Sequence, residues 1–500
     1  MLSAIFFLFL ALVAGIWFLS FIFSSSKSQK RNIHGLPLPP GPKGLPLLGN
    51  LHMLGDLPHR SLQKMAEKYG SIMYIRLGLA PTIVVSSSEA AEQFLKSHDI
   101  IFSSRTVYEA CKGISYGGKG LVFAPYGPYW RNMRKLCTVH LLSHSKNELF
   151  RPIRREETQH FIESIKHSAE SHSEIDLTAR VGSLVEDITY RMVFGFKDDK
   201  FNLKAGIEEA VMLTGVFNVA DYIPQLRALD LQGIGRRMRK INRTLDRYLE
   251  EIIDDHVKDA ETLQGQHRDF IDVMLSLMET EGNLDRENIK AITMDMLAAA
   301  MDTTATVIGW TIAELLKHPN VMVKVQHELK AVVGLNRTVE ESDLGQLEYM
   351  KMVINESMRL HPVIPLIHRE SNEDITIDGY FLPKKSRTLI NVWAIGRDPR
   401  VWSSNAEEFY PERFMGTTID AIGNGFQFLP FGSGRRRCPG QLLASSVVEL
   451  VVAQLLHCFD LKLPDGFSPD DLDMSEKFGL SVPRAKNLVV IPTHRLEKLM

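Results

Sequence analysis

The sequence is poor in cysteine. Its 500 residues hold four, at positions 111, 137, 438 and 458, with no Cys-x-x-Cys pair. A disulfide framework and a structural zinc site are therefore excluded as sources of stability, and a reducing compartment is favoured. Neither sign of charge is in excess: 58 Lys plus Arg stand against 60 Asp plus Glu, leaving −2 with histidine neutral. Nothing in that balance points to nucleic acid as a partner. No G-x-G-x-x-G follows a strand-like run and no Walker loop is present, so no motif for NADPH or flavin is recognisable. Beyond about residue 60 there is no second linker, low-complexity tract or repeat. The 44% apolar and 24% charged fractions exclude wholesale disorder and a multi-span membrane protein.

Long hydrophobic runs are missing with one exception. Residues 1–23 carry no charge and match the roughly 20 residues that cross a bilayer as a helix. The run is longer than a secretory h-region and has no basic residue before it, which favours an uncleaved anchor over a signal peptide. Lys27, Lys30 and Arg31 follow it, placing the N-terminus in the lumen and the bulk in the cytosol. The proline-rich run Leu36-Pro-Leu-Pro-Pro-Gly-Pro-Lys-Gly-Leu-Pro46 reads as a stiff, extended spacer. The chain thus divides into an anchor (1–23), a basic and proline-rich hinge (24–50) and a single cytosolic domain (51–500).

In that domain, 71–77 and 81–87 are short β-branched runs that predict a hairpin. A second strand-rich patch spans 374–392, and a third 487–492. Most of the rest is helical in pattern. The longest predicted helix starts at Asp285, an N-cap with Glu287 in the first turn, and stops at His318-Pro319. Its middle, 296–301, is apolar all round and so predicts burial. The fold class is mainly α with a small β portion.

The most informative segment is Phe428-Leu-Pro-Phe431-Gly-Ser-Gly434-Arg-Arg436-Arg-Cys438-Pro-Gly440. Glycines bring backbone amides close to one thiol. The helix-like run that follows, together with Arg435, Arg436 and Arg437, favours its thiolate form. Such a thiolate is an axial metal ligand or a nucleophile. Here the sequence resembles the cytochrome P450 heme-thiolate monooxygenases, whose signature F-x-x-G-x-R-x-C-x-G is matched by Phe431, Gly434, Arg436, Cys438 and Gly440. It is most similar to the membrane-anchored plant A-type members. The resemblance implies the P450 fold, with heme b (iron protoporphyrin IX) between two helices and Cys438 as its iron ligand. It also implies that Trp130 and Arg134, in a W-x-x-x-R motif, and Arg369 and Arg436 hold the heme propionates.

In the long helix stands Ala299-Ala300-Met301-Asp302-Thr303-Thr304. A carboxylate in an apolar helix is costly without work or a partner. The stretch resembles the family's A/G-G-x-D/E-T-T/S motif, which implies Asp302 as the proton-delivery acid and Thr303 as the alcohol that steadies activated oxygen. Ala300 stands where that pattern has glycine. Glu356-Ser-Met-Arg359 and Arg413, in Phe409-Tyr-Pro-Glu-Arg413-Phe, match the E-x-x-R and P-E-R-F segments. They imply a buried Glu–Arg–Arg network that locks the cysteine loop.

Without a cofactor motif of its own for reducing power, the chain is expected to draw electrons from NADPH–cytochrome P450 reductase at the endoplasmic reticulum membrane. A basic face of Arg131, Arg134, Lys135, Arg435 and Arg437 is expected to dock it. The substrate wall is expected from 106–122, 212–220, 297–303, 363–366 and 478–480. These largely apolar stretches suit a small apolar molecule, such as a phenolic, coumarin, flavonoid or terpenoid, oxidised with O2. Two alternatives remain at this level. One is a heme-thiolate isomerase or dehydratase working on a peroxide without electrons. The other is a membrane-tethered heme sensor with no catalysis.

Overall fold

The computed structural model describes residues 12–13, 15–17, 35–197, 203–263, 269–281, 284–419 and 425–496. The expected anchor and the basic residues after it lie outside the described residues, apart from 12–13 and 15–17, which are helical. The proline-rich segment is extended as expected but does not stand free. The Pro37 carbonyl accepts the Phe381 N–H at 2.9 Å, and that of Pro40 accepts the Tyr74 N–H at 2.9 Å. The segment is therefore pinned to the sheets from Pro37 onward.

Six helices position the site: α1 (Pro58–Tyr69), α2 (Pro128–Leu136), α3 (Leu177–Phe194), α4 (Arg286–Lys317), α5 (Glu348–Leu360) and α6 (Gln441–Cys458). Helix α4 begins where the sequence predicts. The Asp285 side chain accepts the Asn288 N–H at 2.7 Å, and the Asn288 side chain accepts the Asp285 N–H at 2.8 Å. This capping box satisfies two end donors, and Glu287 complements the positive helix end. The helix stops at His318 because Pro319 bars helical backbone before it. Its 32 residues span about 48 Å, and it packs on α3, α5 and α6. Ile289, Ile292, Ile308 and Ile312 are wholly buried there. The turn 296–301 lies inside the body as expected: Leu297 is buried, and Met296, Ala298, Ala299 and Ala300 line an internal cavity.

Among the described residues, α4 and α6 are long and apolar enough to cross a membrane. Both are core helices packed against each other.

The strands are β1 (Ile72–Leu77), β2 (Ala80–Val85), β3 (Ile175–Asp176), β4 (Leu366–Glu370), β5 (Ile375–Ile377), β6 (Tyr380–Leu382), β7 (Arg387–Asn391), β8 (Phe459–Lys462) and β9 (Val489–His494). The main sheet runs β1-β2-β7-β4; β2 and β7 are parallel and the other pairs antiparallel. The predicted hairpin is β1–β2, paired from Ile72↔Val85 to Leu77↔Ala80. Gly78 in its turn has φ +62°, and a Cβ there would lie 2.5 Å from the Tyr222 carbonyl. The strand-rich patch resolves into β5, β6 and β7. Asp378 (φ 50°) and Gly379 (φ 78°) make the tight turn between β5 and β6. Strands β3, β4 and β8 escaped the sequence reading. Each is short, and β4 carries His368, Arg369 and Glu370, which break any apolar alternation.

Away from the cavity, helix Ile234–Leu263 is clamped to Phe270–Glu281 by His256. Its Nε2 faces Asp269 at 3.1 Å and its Nδ1 faces the Ile252 carbonyl at 2.8 Å. Burial opposes the charged ring, but Asp269 outweighs it and, with the Ile252 carbonyl and Asp272, pushes the pKa up to about 9. A raised histidine pKa stabilises the fold fully below the unfolded value of about 6.5, and that contribution is lost as pH rises through about 9. Denaturant melts should therefore show a decline of the order of 2 kcal/mol between pH 6.5 and 9.5. His256→Gln should flatten that slope. An unchanged slope in the variant would refute the pairing.

Candidate active site

Three of the four cysteines are buried and chemically quiet. Burial pushes the thiols of Cys111, Cys137 and Cys458 up to about 12. Cys438 is different: it lines a cavity of about 560 Å³. Burial raises its pKa too, but the Gly440 amide and the charges of Arg134, Arg105 and Arg437 pull it back. The loop that presents it is tightly built. The Cys438 N–H donates to the Phe431 carbonyl at 2.9 Å, and that of Arg437 to the Gly434 carbonyl at 3.0 Å. Gly434 (φ +70°) lies so close to Asp99 and Leu95 that a Cβ would meet both at 2.5 Å. Asp99 accepts the Arg435 N–H at 3.0 Å and its Nη1 at 2.8 Å. Helix α6 starts directly after Gly440, so its positive end faces the thiol. At Gly440 an added Cβ would meet nothing within 4 Å.

Besides Arg387, four guanidiniums line the same cavity: Arg105, Arg134, Arg369 and, from the loop itself, Arg436. None makes an ion pair among the described residues. Burial lowers the pKa of every one, and the mutual repulsion of Arg105, Arg369 and Arg436 adds to it. Arg369 is 2% exposed, and its Nε has no acceptor. Its Nη1 donates to the His368 carbonyl at 2.9 Å. Unpaired buried cations are costly, so this wall is built for an anion. Arg436 donates to the carbonyls of Ser103 (2.7 Å), Leu121 (3.2 Å) and Ala124 (2.5 Å), and lies 4.1 Å over the Trp130 ring. Trp130 Nε1 donates to the Leu121 carbonyl at 3.0 Å. Arg436 and Trp130 thus shape the wall, while Arg105, Arg134 and Arg369 present the charge. A thiol, a group of cations without carboxylate partners and largely apolar walls lining one cavity fit a heme with its two propionates.

On α4, Asp302 and Thr303 both line the cavity. The Asp302 carboxylate accepts the Ser481 hydroxyl. Thr303 Oγ1 donates to the Ala299 carbonyl at 2.6 Å, closing an i to i−4 bond on the turn where Ala300 sits. All five predicted wall stretches contribute to the cavity, and α3 adds Ile188, Thr189 and Met192. One polar corner was not foreseen. Tyr108 Oη lies 2.9 Å from His368 Nδ1, and Arg387 sits over the rings of Tyr108 and Tyr222.

Glu356, Arg359 and Arg413 form one buried network. Arg359 Nε and Nη2 meet the two Glu356 oxygens at 2.7 and 2.8 Å, and Arg413 Nε meets Glu356 Oε1 at 2.8 Å. The guanidiniums also bind the carbonyls of Gly396, Trp402, Asn405, Ala406 and Glu408. The network fixes 396–414, and Trp402 and Phe414 pack against Phe428 at the start of the cysteine loop, with ring centroids 6.5 and 5.3 Å away. On the expected docking face, Arg131 and Lys135 are exposed, Arg435 is exposed and paired with Asp99, and Arg134 lines the cavity.

Three site residues escaped sequence reading: Arg105, Ser481 and Asp295. Asp295 Oδ2 accepts the N–H groups of Leu121 (2.5 Å) and Val122 (3.0 Å). Burial pushes its carboxyl up to about 6, against those amides and Arg105. Its only sequence signal was a carboxylate two turns before Asp302 on the same apolar helix.

Comparison with known proteins agrees with this geometry. The family model described as Cytochrome P450 matches residues 39–490. Over 499 residues, 98% of each chain, the sequence is 50% identical to cytochrome P450 CYP736A12 of Panax ginseng. It is 40% identical over 484 residues, 94% of each chain, to cytochrome P450 71A2 of Solanum melongena. It is also 42% identical over 476 residues, 92% of this chain and 93% of the other, to desmethyl-deoxy-podophyllotoxin synthase of Sinopodophyllum hexandrum. With a cysteine loop and a group of buried cations lining one cavity, and with this similarity along almost its whole length, the chain belongs to the cytochrome P450 family of oxidoreductases.

Proposed function

We propose that this protein is an NADPH- and O2-dependent monooxygenase that hydroxylates or oxidatively cyclises a small, mainly apolar plant specialised metabolite. The observation that carries this reading is Cys438, alone among the cysteines in lining a cavity that also holds guanidiniums without an ion-pair partner among the described residues. Heme b bound through the Cys438 sulfur would supply dioxygen activation, the thiolate's electron donation favouring O–O cleavage. The chain's own residues do the rest. Arg105, Arg134 and Arg369 neutralise the propionates; Trp130 and Arg436 hold the wall behind them; Phe431 and Gly440 shape the loop beside the sulfur. Apolar side chains exclude water from the cavity. The Asp302 carboxylate, held by the Ser481 hydroxyl, takes up a proton from water and passes it to the Thr303 hydroxyl, which gives up its own proton at the cavity surface. Electrons reach the site from NADPH–cytochrome P450 reductase at the endoplasmic reticulum membrane, where residues 1–23 anchor the chain. The mostly apolar cavity supports the substrate class, as does the product named for one relative, desmethyl-deoxy-podophyllotoxin.

Microsomes holding the protein and a plant reductase, given NADPH and an extract of plant metabolites, should yield a product heavier by one oxygen. No such mass shift with any fraction would count against the reading. Thr303→Ala should lower product formed per NADPH by about 10²-fold while leaving heme content unchanged. Equal coupling in both proteins would remove Thr303 from the proton path.

A further inference from the structure

We propose that Asp295 is a positioning residue for the cationic edge of the cavity, acting through the backbone of residues 120–124. The proposal rests on reading that edge as the propionate seat. One oxygen of a buried carboxylate on α4 gathers the amides of Leu121 and Val122, at 2.5 and 3.0 Å. The same short segment turns its carbonyls the other way. Leu121 O takes Trp130 Nε1 (3.0 Å) and Arg436 Nη1 (3.2 Å); Val122 O takes Arg105 Nη1 (3.0 Å); Ala124 O takes Arg436 Nη2 (2.5 Å). Asp295 therefore sets the height of a strip of backbone from which both arginines and the tryptophan hang. Gly120 completes the lock. A Cβ at that position would lie 2.3 Å from Asp295 Oδ2, so the carboxylate reaches the amides only past a glycine. The segment also lies in the predicted substrate wall, so the pin ties the cavity roof to the cofactor edge across α4.

Hydrogen exchange of residues 118–124 and the rate of heme transfer to apomyoglobin test this on the full-length holoenzyme. Asp295→Ala and Gly120→Ala should each speed both by about tenfold or more, since each removes buried hydrogen bonds. Because both substitutions break one contact, the double variant should be no faster than the faster single. Ile292→Ala, a cavity-forming change on the same helix, should lower the melting temperature without altering either rate. Asp295→Asn retains an acceptor oxygen and should recover most of the wild-type protection. Should Asp295→Ala not accumulate, Gly120→Ala carries the test alone. Wild-type exchange rates in either single variant would overturn the proposal, as would additive effects or equally fast heme loss from Ile292→Ala. A wild-type protein that holds no heme would instead sink the monooxygenase reading and leave the exchange result standing.

Discussion

Cys438→Ser is expected to fold and to lose all oxygenation, while serine at each of the other three cysteines leaves turnover intact. The contrast follows from where the thiols point. Cys111, Cys137 and Cys458 are 0% exposed and packed among apolar side chains. A hydroxyl that finds no partner there costs about 1–2 kcal/mol, while at position 458 Gln454 Oε1, 3.6 Å from the thiol, can accept it; none of the three touches the chemistry. Cys438 meets the cavity at the head of α6, with the Gly440 amide and nearby guanidiniums favouring its anion. Serine preserves the shape of the loop, because its hydrogen bonds are made by backbone: Cys438 N–H to Phe431 and Arg437 N–H to Gly434. It removes only the soft, electron-donating sulfur. Product formation with reductase and NADPH reads the result directly. Residual oxygenation by Cys438→Ser at the wild-type rate would place the chemistry elsewhere.

The second large effect is expected from Glu356→Ala. The carboxylate is wholly buried and is shared by Arg359, Arg413 and the Tyr410 N–H. Removing it strands two buried cations, a loss of about 3–5 kcal/mol. That is a large share of the stability of any single domain. The damage should spread along 396–414 to Trp402, Phe414 and Phe428, and so to the cysteine loop. The expected outcome is a chain with little or no heme and a lowered melting temperature. Glu356→Gln, which keeps one acceptor for Arg413 and Tyr410, should fall between. A heme-replete Glu356→Ala protein melting like the wild type would show that the network does not support the site.

What was legible in the sequence, and what was not, divides along one physical line. The cysteine loop could be read because its signature is local: glycines at fixed offsets, Gly434 at φ +70°, and a cysteine just before a helix start. Helix α4 was legible for the same reason, with a capping box at one end and Pro319 at the other. Glu356 and Arg359 share a helix face, so their pairing was accessible, but its reach through Trp402 and Phe414 was not. Asp295 and Ser481 stayed hidden because each acts on a partner far away in sequence, and Arg105 because its partner is a backbone carbonyl that no side-chain pattern marks. Arg105 meets Val122, Asp295 meets Leu121 and Val122, and Ser481 meets Asp302. Strand β4 was missed because Arg369 is buried for its charge, against the hydrophobic pattern that announces strands.

One measurement bears most directly on all of this: the difference spectrum of the purified, reduced protein with carbon monoxide. A sulfur anion from Cys438 on heme iron predicts the strongly red-displaced Soret band peculiar to thiolate ligation, and its loss in Cys438→Ser. Colourless protein, or a carbonyl band at the position given by histidine-ligated heme, would contradict it.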